Sequence, residues 1–333
     1  MKYLICYIAL SLSLISCTGQ SDSRAANNKA HNTDQISIIR FDKDLHSYIK
    51  DPSESNLTGL KNKYKNFLPA FGRVTINNSD SYRSEFYTRL RQYFSNQMLS
   101  KIYDDALTTF SDFSSYEKEL TKANQLIIEN FQDQQLPFLF VHVSGFKENV
   151  MVLPGVISLS VDKYLGQNYQ AYKQFFEDYQ RIQMQPNLIT RDFLRAWILS
   201  EQVKAVETPS LLDEMIKEGK TLYILSQLLP DWEETNLISY TSDQMKWCTD
   251  NEKDIWKIII KKNHLYEQDY QIINKYINDA PYTATLTTDS PGRAGIWVGW
   301  QIVKAYMTKN KASLSQLVNT ASQQLLKDSG YNP

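Results

Sequence analysis

Histidine is scarce in this sequence, and its few copies are badly spaced for metal chemistry. No two of His31, His46, His142 and His264 stand four apart, so the H-E-x-x-H spacing that lets one helix offer two imidazoles to zinc is missing. A catalytic zinc centre without imidazole runs against the ordinary ligand chemistry of that ion. No D-x-[DN]-x-[DN]-G loop supports a calcium site, and no G-x-S-x-G elbow, P-loop or G-x-G-x-x-G fingerprint is present. Basic excess is lacking too: 36 Lys and Arg face 37 Asp and Glu, without any Lys/Arg block, so nucleic acid is not an expected partner. Long apolar runs are confined to residues 4–15, and no later segment has the length or continuity of a transmembrane helix.

That one run follows Lys2, is too short to span a bilayer comfortably, and has the makeup of a signal peptide's central region. With Leu14, Ile15 and Ser16 before Cys17 it resembles a bacterial lipoprotein signal; an ordinary signal peptide or a buried helix is the alternative. The resemblance implies removal of residues 1–16, lipidation of Cys17 and an anchored body. Cys6 leaves with the signal on this reading, so Cys248 is the only unmodified thiol, no intramolecular disulfide can form, and stability must come from packing. From Cys17 to residue 34 the chain is small and polar, "CTGQSDSRAANNKAHNTD", which reads as a tether with His31 in water. No acidic residue directly follows Cys17, which favours a periplasmic body.

The remainder, 35–333, reads as a single mixed domain, α+β and predominantly helical, and the 42% hydrophobic content of the whole chain can fill a core. "ISIIRF" is a strand, followed by a short helix, and 81–94 and 101–110 carry helical spacing. A capping box of Ser114 and Glu117 opens a helix whose Phe113, Tyr116, Leu120, Ala123, Ile127 and Phe131 share one face. "PFLFVHV" and residues 149–165, broken at Pro154-Gly155, complete a small sheet. Helical spacing then fills 169–180, 191–206, 210–229, 241–262, 268–278, 293–307 and 313–327. His142 reads as a satisfied, half-buried strand residue and Cys248 as an inert core thiol.

Three of these helices each place a glutamate among apolar neighbours. Ser210 and Asp213 cap a helix on which Leu211, Met215, Glu218, Leu222 and Leu225 form one stripe. Leu194, Ile198, Glu201 and Ala205 repeat the pattern on the helix before it, and Met245, Cys248, Glu252, Ile255 and Ile259 on the helix after it, which Thr241 and Gln244 cap. A buried ionised carboxylate is costly without charged partners or several hydrogen bonds. Three readings of Glu201, Glu218 and Glu252 stay open. Each pairs with a donor such as Arg195, Lys220 or Arg293 and fixes helix register; a glutamate pair performs acid/base catalysis; or the carboxylates sit at stripe edges and reach a groove. Gly295 and Gly299 form a small-x-x-x-small pair suited to close intramolecular packing, with Trp297 and Trp300 as core filler.

"LLDEMIKEGKTLYILSQLLPD", "YTSDQMKWCTDNEKDIW" and "PGRAGIWVGWQIVKAYM", with "IIRFDKDL", "LPGVISLSVDKYLG" and the ending "DSGYNP", resemble the gliding motility lipoproteins of the GldB type from Bacteroidetes. The resemblance covers nearly all of the mature chain. It implies a non-catalytic, lipid-anchored envelope protein required for gliding and the associated type IX secretion, working through other proteins of that machinery, with no cofactor and no bound metal. It also implies a remote likeness to H-E-x-x-H metallopeptidases, a degenerate zincin-like scaffold. There Glu218 takes the place of the acidic ligand, Arg293 is a partner for Glu218 or Glu252, and the helix around Trp197 to Glu201 lacks both histidines. A carboxylate-dependent hydrolase of peptidoglycan or protein and a glycan-binding module are the alternatives.

Overall fold

Ile38 is the first inward-facing residue of the body and begins the sheet. The computed structural model describes residues 35–333; the expected signal segment, Cys17, His31 and the tether lie outside the described residues. The sheet consists of β1 (Ile38–Arg40), β2 (Phe138–His142), β3 (Val150–Leu153) and β4 (Val156–Ser160), in the order β1-β2-β4-β3. β1, β2 and β4 run parallel, and β3 returns antiparallel on β4. The expected break at Pro154-Gly155 is the two-residue turn of that hairpin. Gly155 holds φ at +75°, as the position after Pro in a type II turn requires.

Six helices separate β1 from β2: α1 (Phe41–Lys50), α2 (Glu54–Lys63), α3 (Leu68–Ile76), α4 (Ser84–Phe94), α5 (Gln97–Thr109) and α6 (Ser114–Asn130). After β4 come the short α7 (Asp178–Arg181), α8 (Ile189–Trp197), α9 (Leu211–Leu228), α10 (Glu234–Ile238), α11 (Ser242–Asp250), α12 (Glu252–Lys261), α13 (Tyr270–Ile277), α14 (Ala294–Asn310), α15 (Leu314–Asn319) and α16 (Ser322–Ser329). The structure is thus mainly helical with a small mixed sheet and a large helical C-terminal part, as the periodicity predicts. One hydrophobic cluster runs from Ile38 to Leu325.

The two sheet faces differ. Alternation puts Phe140, His142, Ser158 and Ser160 on one face, where Phe41 meets Tyr64, Phe67 and Phe71 edge-on at 4.8 Å each. His142 is wholly buried there rather than half-buried, with Nδ1 2.7 Å from Ser158 Oγ and Nε2 without a protein partner. Leu139, Val141, Ile157 and Leu159 take the other face, against which α8 packs.

Local rules fail at four places. Ser114 does not cap α6: the N-cap residue is Phe113, Asp112 Oδ1 accepts the Ser114 N–H at 2.9 Å, and Glu117 instead accepts the Ile38 N–H at 2.8 Å. A long-range strand contact has outcompeted the local box. The expected helix over 191–206 ends as a π-helical turn, Ile198–Gln202, and 241–262 breaks at Asn251. Over 169–180 only a 3₁₀ turn, Gln170–Gln174, and the start of α7 form.

The C-terminal part is centred on α9 crossing α14. Gly219 and Gly299 meet there: a β-carbon on Gly299 would overlap the Met215 carbonyl, and one on Gly219 would overlap the Gly299 carbonyl. The small residues therefore serve packing within the chain, with Trp297 and Trp300 buried beside them. Gly299→Ala should lower unfolding free energy by about 2–3 kcal/mol through overpacking. Gly59→Ala, in open space on α2, should raise it by about 0.5–1 kcal/mol. Urea midpoints compare the two.

Burial pushes the His142 imidazole down to about 3 from 6.5. The unfolded chain therefore takes up a proton near pH 6.5 that the folded chain refuses until about pH 3, and stability is lost as pH falls through that window. Between pH 6 and 4, stability should fall about 1.4 kcal/mol per pH unit more steeply in the wild type than in His142→Asn, measured by urea unfolding.

Candidate functional site

The three glutamates go to three different environments. Glu201 falls in the π-helical turn, where the wider winding rotates it off the Leu194 and Ile198 stripe and leaves it exposed; Ala205 is exposed beyond the helix end. The expected core-facing position is corrected there. Glu252 begins α12, half-buried, and accepts a hydrogen bond from Tyr331 Oη at 2.8 Å, which ties down the C-terminal tail against Trp256. Only Glu218 is buried, with 6% of its surface exposed.

Glu218 faces Arg195 of α8. The guanidinium meets it side-on, Nη2 donating to Oε1 at 3.0 Å and Nη1 lying 2.8 Å from Oε2, off the line of a hydrogen bond. Burial alone would raise the Glu218 carboxyl. The Arg195 charge and hydrogen bond, with Lys217 and Arg293 further away, override that and hold it below the ordinary range. Lys220 plays no part: its Nζ donates to the carbonyls of Val318 and Thr320, at 3.2 and 2.7 Å.

Arg293 pairs with neither Glu218 nor Glu252. Its backbone is left-handed at the start of α14, which turns the side chain toward Asp279 (Nε to Oδ1, 3.0 Å), the Ser239 carbonyl and the Tyr240 ring. Asp279 also accepts from Gln183 Nε2 at 2.7 Å. A third pair completes the set. Arg191 donates to Asp192 Oδ1 at 2.8 Å and to Ser239 Oγ, and Tyr164 Oη donates to Asp192 Oδ2 at 2.7 Å.

These pairs line a groove made of two adjoining cavities, about 530 and 430 Å³, which share Gln183, Arg191, Arg195 and Asp279. The first is bounded by α8 on one side and β3 on the other; the second reaches Glu218 and Arg293. Lys163 also lines the first. It follows Asp162, a buried carboxylate held by Ser160 Oγ at 2.5 Å and the Phe146 N–H at 2.7 Å.

Arg191, Asp192 and Arg195 thus form a basic-acidic-x-x-basic run on the helix face opposite Glu218, at the spacing of H-E-x-x-H. Guanidinium cannot ligate a cation, so the donor set does not fit zinc, and among the described residues no three His, Cys, Asp or Glu gather as a metal cluster. Glu201 lines neither cavity, so the glutamate pair of the hydrolase reading is not assembled. Cys248 is buried on its stripe, its thiol pushed up to about 12 by burial. The i, i+4 arginines were visible in the sequence. Asp279 and Gln183 lie in irregular segments with no periodic signal.

The pair's asymmetry gives a test. Arg195→Met strands a buried carboxylate and should cost about 3 kcal/mol, whereas Glu218→Leu leaves a guanidinium already one-third exposed and should cost about 1 kcal/mol or less. The double variant Arg195→Met/Glu218→Leu should recover most of the loss in urea unfolding.

No curated protein and no solved structure matches the chain. A family model described as gliding motility protein GldB matches residues 22–333, covering the groove, the sheet and the whole helical part. The chain belongs to the GldB family of gliding motility lipoproteins.

Proposed function

We propose that this gliding motility lipoprotein is held to the cell envelope through lipid on Cys17, and that residues 17–34 tether a body that works in the periplasm by protein contact. Residues 35–333 act on this reading as one domain, and residues 1–16 as the signal removed before anchoring. The direct partners are components of the motility apparatus and its type IX secretion machinery. Membership of the family over residues 22–333 carries the reading. Among the described residues no helix is long and apolar enough to cross a membrane, which is consistent with attachment by lipid.

The groove supports contact rather than chemistry. Its buried carboxylate is held ionised by the Arg195 charge, so near neutral pH it lacks the proton of a general acid, and a carboxyl held below its ordinary range is a weak base. The basic-acidic-x-x-basic run supports descent from a peptidase-like scaffold in which guanidinium now neutralises the acidic residue that a metal would otherwise balance. The glycan-binding alternative rests on the exposed rings of Tyr82, Tyr266 and Tyr270, since no tryptophan among the described residues is exposed.

Cys17→Ser should abolish lipid labelling and gliding while leaving the urea midpoint of the purified protein unchanged. Gliding that persists without lipid labelling would overturn the anchor. Crosslinking in intact cells, followed by identification of the attached proteins, tests whether those partners belong to the machinery.

A further inference from the structure

The outer side of β3 is an unpaired sheet edge, and two residues of the strand line the groove. Ser160 N–H donates to the Asn149 carbonyl at 2.9 Å, which sets the alternation of the β3–β4 ladder. Asn149, Met151 and Leu153 therefore exchange hydrogen bonds with Ser160, Ser158 and Val156, while the N–H and C=O of Val150 and Val152 point away from β4. Those four groups have no hydrogen-bond partner among the described residues. Val150 and Val152 both line the larger cavity, and Val152 is 47% exposed. Natural proteins usually cover or charge such an edge, and here it is left open beside a cavity.

The charges of the groove specify what would lie there. Three of its cations, Arg191, Arg195 and Arg293, have carboxylates within ion-pair distance: Asp192, Glu218 and Asp279. Lys163 has none at that distance, though the charges of Asp162 and Glu148 reach it from further off; its ammonium lies 4.5 Å from the centre of the Phe176 ring, on the cavity wall. The Asp162 clamp on the 3₁₀ turn Val161–Lys163 fixes where that ammonium emerges. An unpaired strand edge sharing its cavity with a half-buried cation that no carboxylate contacts matches an extended peptide bearing an acidic side chain.

We propose that β3 is a docking edge: an extended segment of a partner protein adds to it as a fifth strand, and an acidic side chain of that segment pairs with Lys163. This rests on the reading that the protein works by protein contact, and names the surface and the chemistry of that contact. Backbone hydrogen bonds to Val150 and Val152 hold the segment, the valine side chains and α8 bound it, and Lys163 selects for acid.

The test uses the full chain in detergent and two fluorescein-labelled hexapeptides, Thr-Val-Glu-Val-Thr-Val and Thr-Val-Lys-Val-Thr-Val, read by fluorescence anisotropy. The acidic peptide should bind about tenfold more tightly than the basic one, and Lys163→Glu should reverse the order. Val152→Pro removes only an outward N–H, so it should keep the fold and weaken binding of the acidic peptide at least about tenfold. No binding at millimolar peptide, equal binding of the two peptides, or full binding by a folded Val152→Pro would overturn the proposal. Binding that appears only when residues 18–34 are deleted would assign the edge to the chain's own tether and overturn it too. Should Val152→Pro fail to fold, the Lys163→Glu reversal decides. In cells, normal gliding with Val152→Pro but lost gliding with Cys17→Ser overturns the docking edge and leaves the contact reading standing.

Discussion

Glu218 is a carboxylate placed where the packing of α9 wants an apolar residue, and the Arg195 guanidinium is what makes that position tenable. Ser210 and Asp213 cap α9 reciprocally and set its phase. The Gly219–Gly299 crossing brings α14 so close that α9 has no freedom to rotate Glu218 outward. The side chain must point at α8, and burial there would favour the neutral acid. Arg195 reverses that preference through two nitrogen contacts and leaves a charge-balanced site. The charge balance at this end of the groove rests on the same pair.

Elsewhere in the C-terminal part, charge is again used to tie elements together. Lys220, buried on α9, spends its donors on the last carbonyls around α15, and burial brings its ammonium down to about 8. Glu252 secures Tyr331, and Arg293 bridges Asp279 to the Ser239 carbonyl. Each link joins segments far apart in sequence, in a chain whose one described cysteine, Cys248, is buried and unpaired. The Arg293 link fixes a wall of the groove, and the set adds little stability, since buried ion pairs seldom exceed the worth of apolar packing.

Much of this was legible in the sequence where a local rule and a tertiary demand coincide. α9 is the clearest case: its cap, its stripe and the burial of Glu218 all follow from spacing. Thr241 and Gln244 likewise form their box. Where the two demands conflict, local reading fails. Ser114 yields its cap because Glu117 is drawn to the Ile38 amide, and Glu201 leaves its stripe because one wider turn changes the winding. The groove was the least legible part. Arg191 and Arg195 stand at helical spacing, but Asp279 and Gln183 come from irregular segments. The open edge of β3 depends on a strand order, β1-β2-β4-β3, that no single strand encodes.

A protein of this family that works through contact should keep its one buried groove carboxylate ionised under all physiological conditions. The direct measurement is a carbon-13 titration of the Glu218 carboxyl by NMR, with Glu218→Gln to assign the signal. The Arg195 clamp predicts a midpoint below the ordinary value of 4.5 and no change of charge near neutrality. A midpoint above 4.5, approaching neutral pH, would mean that Glu218 can hold and release a proton in the groove, and would contradict the account.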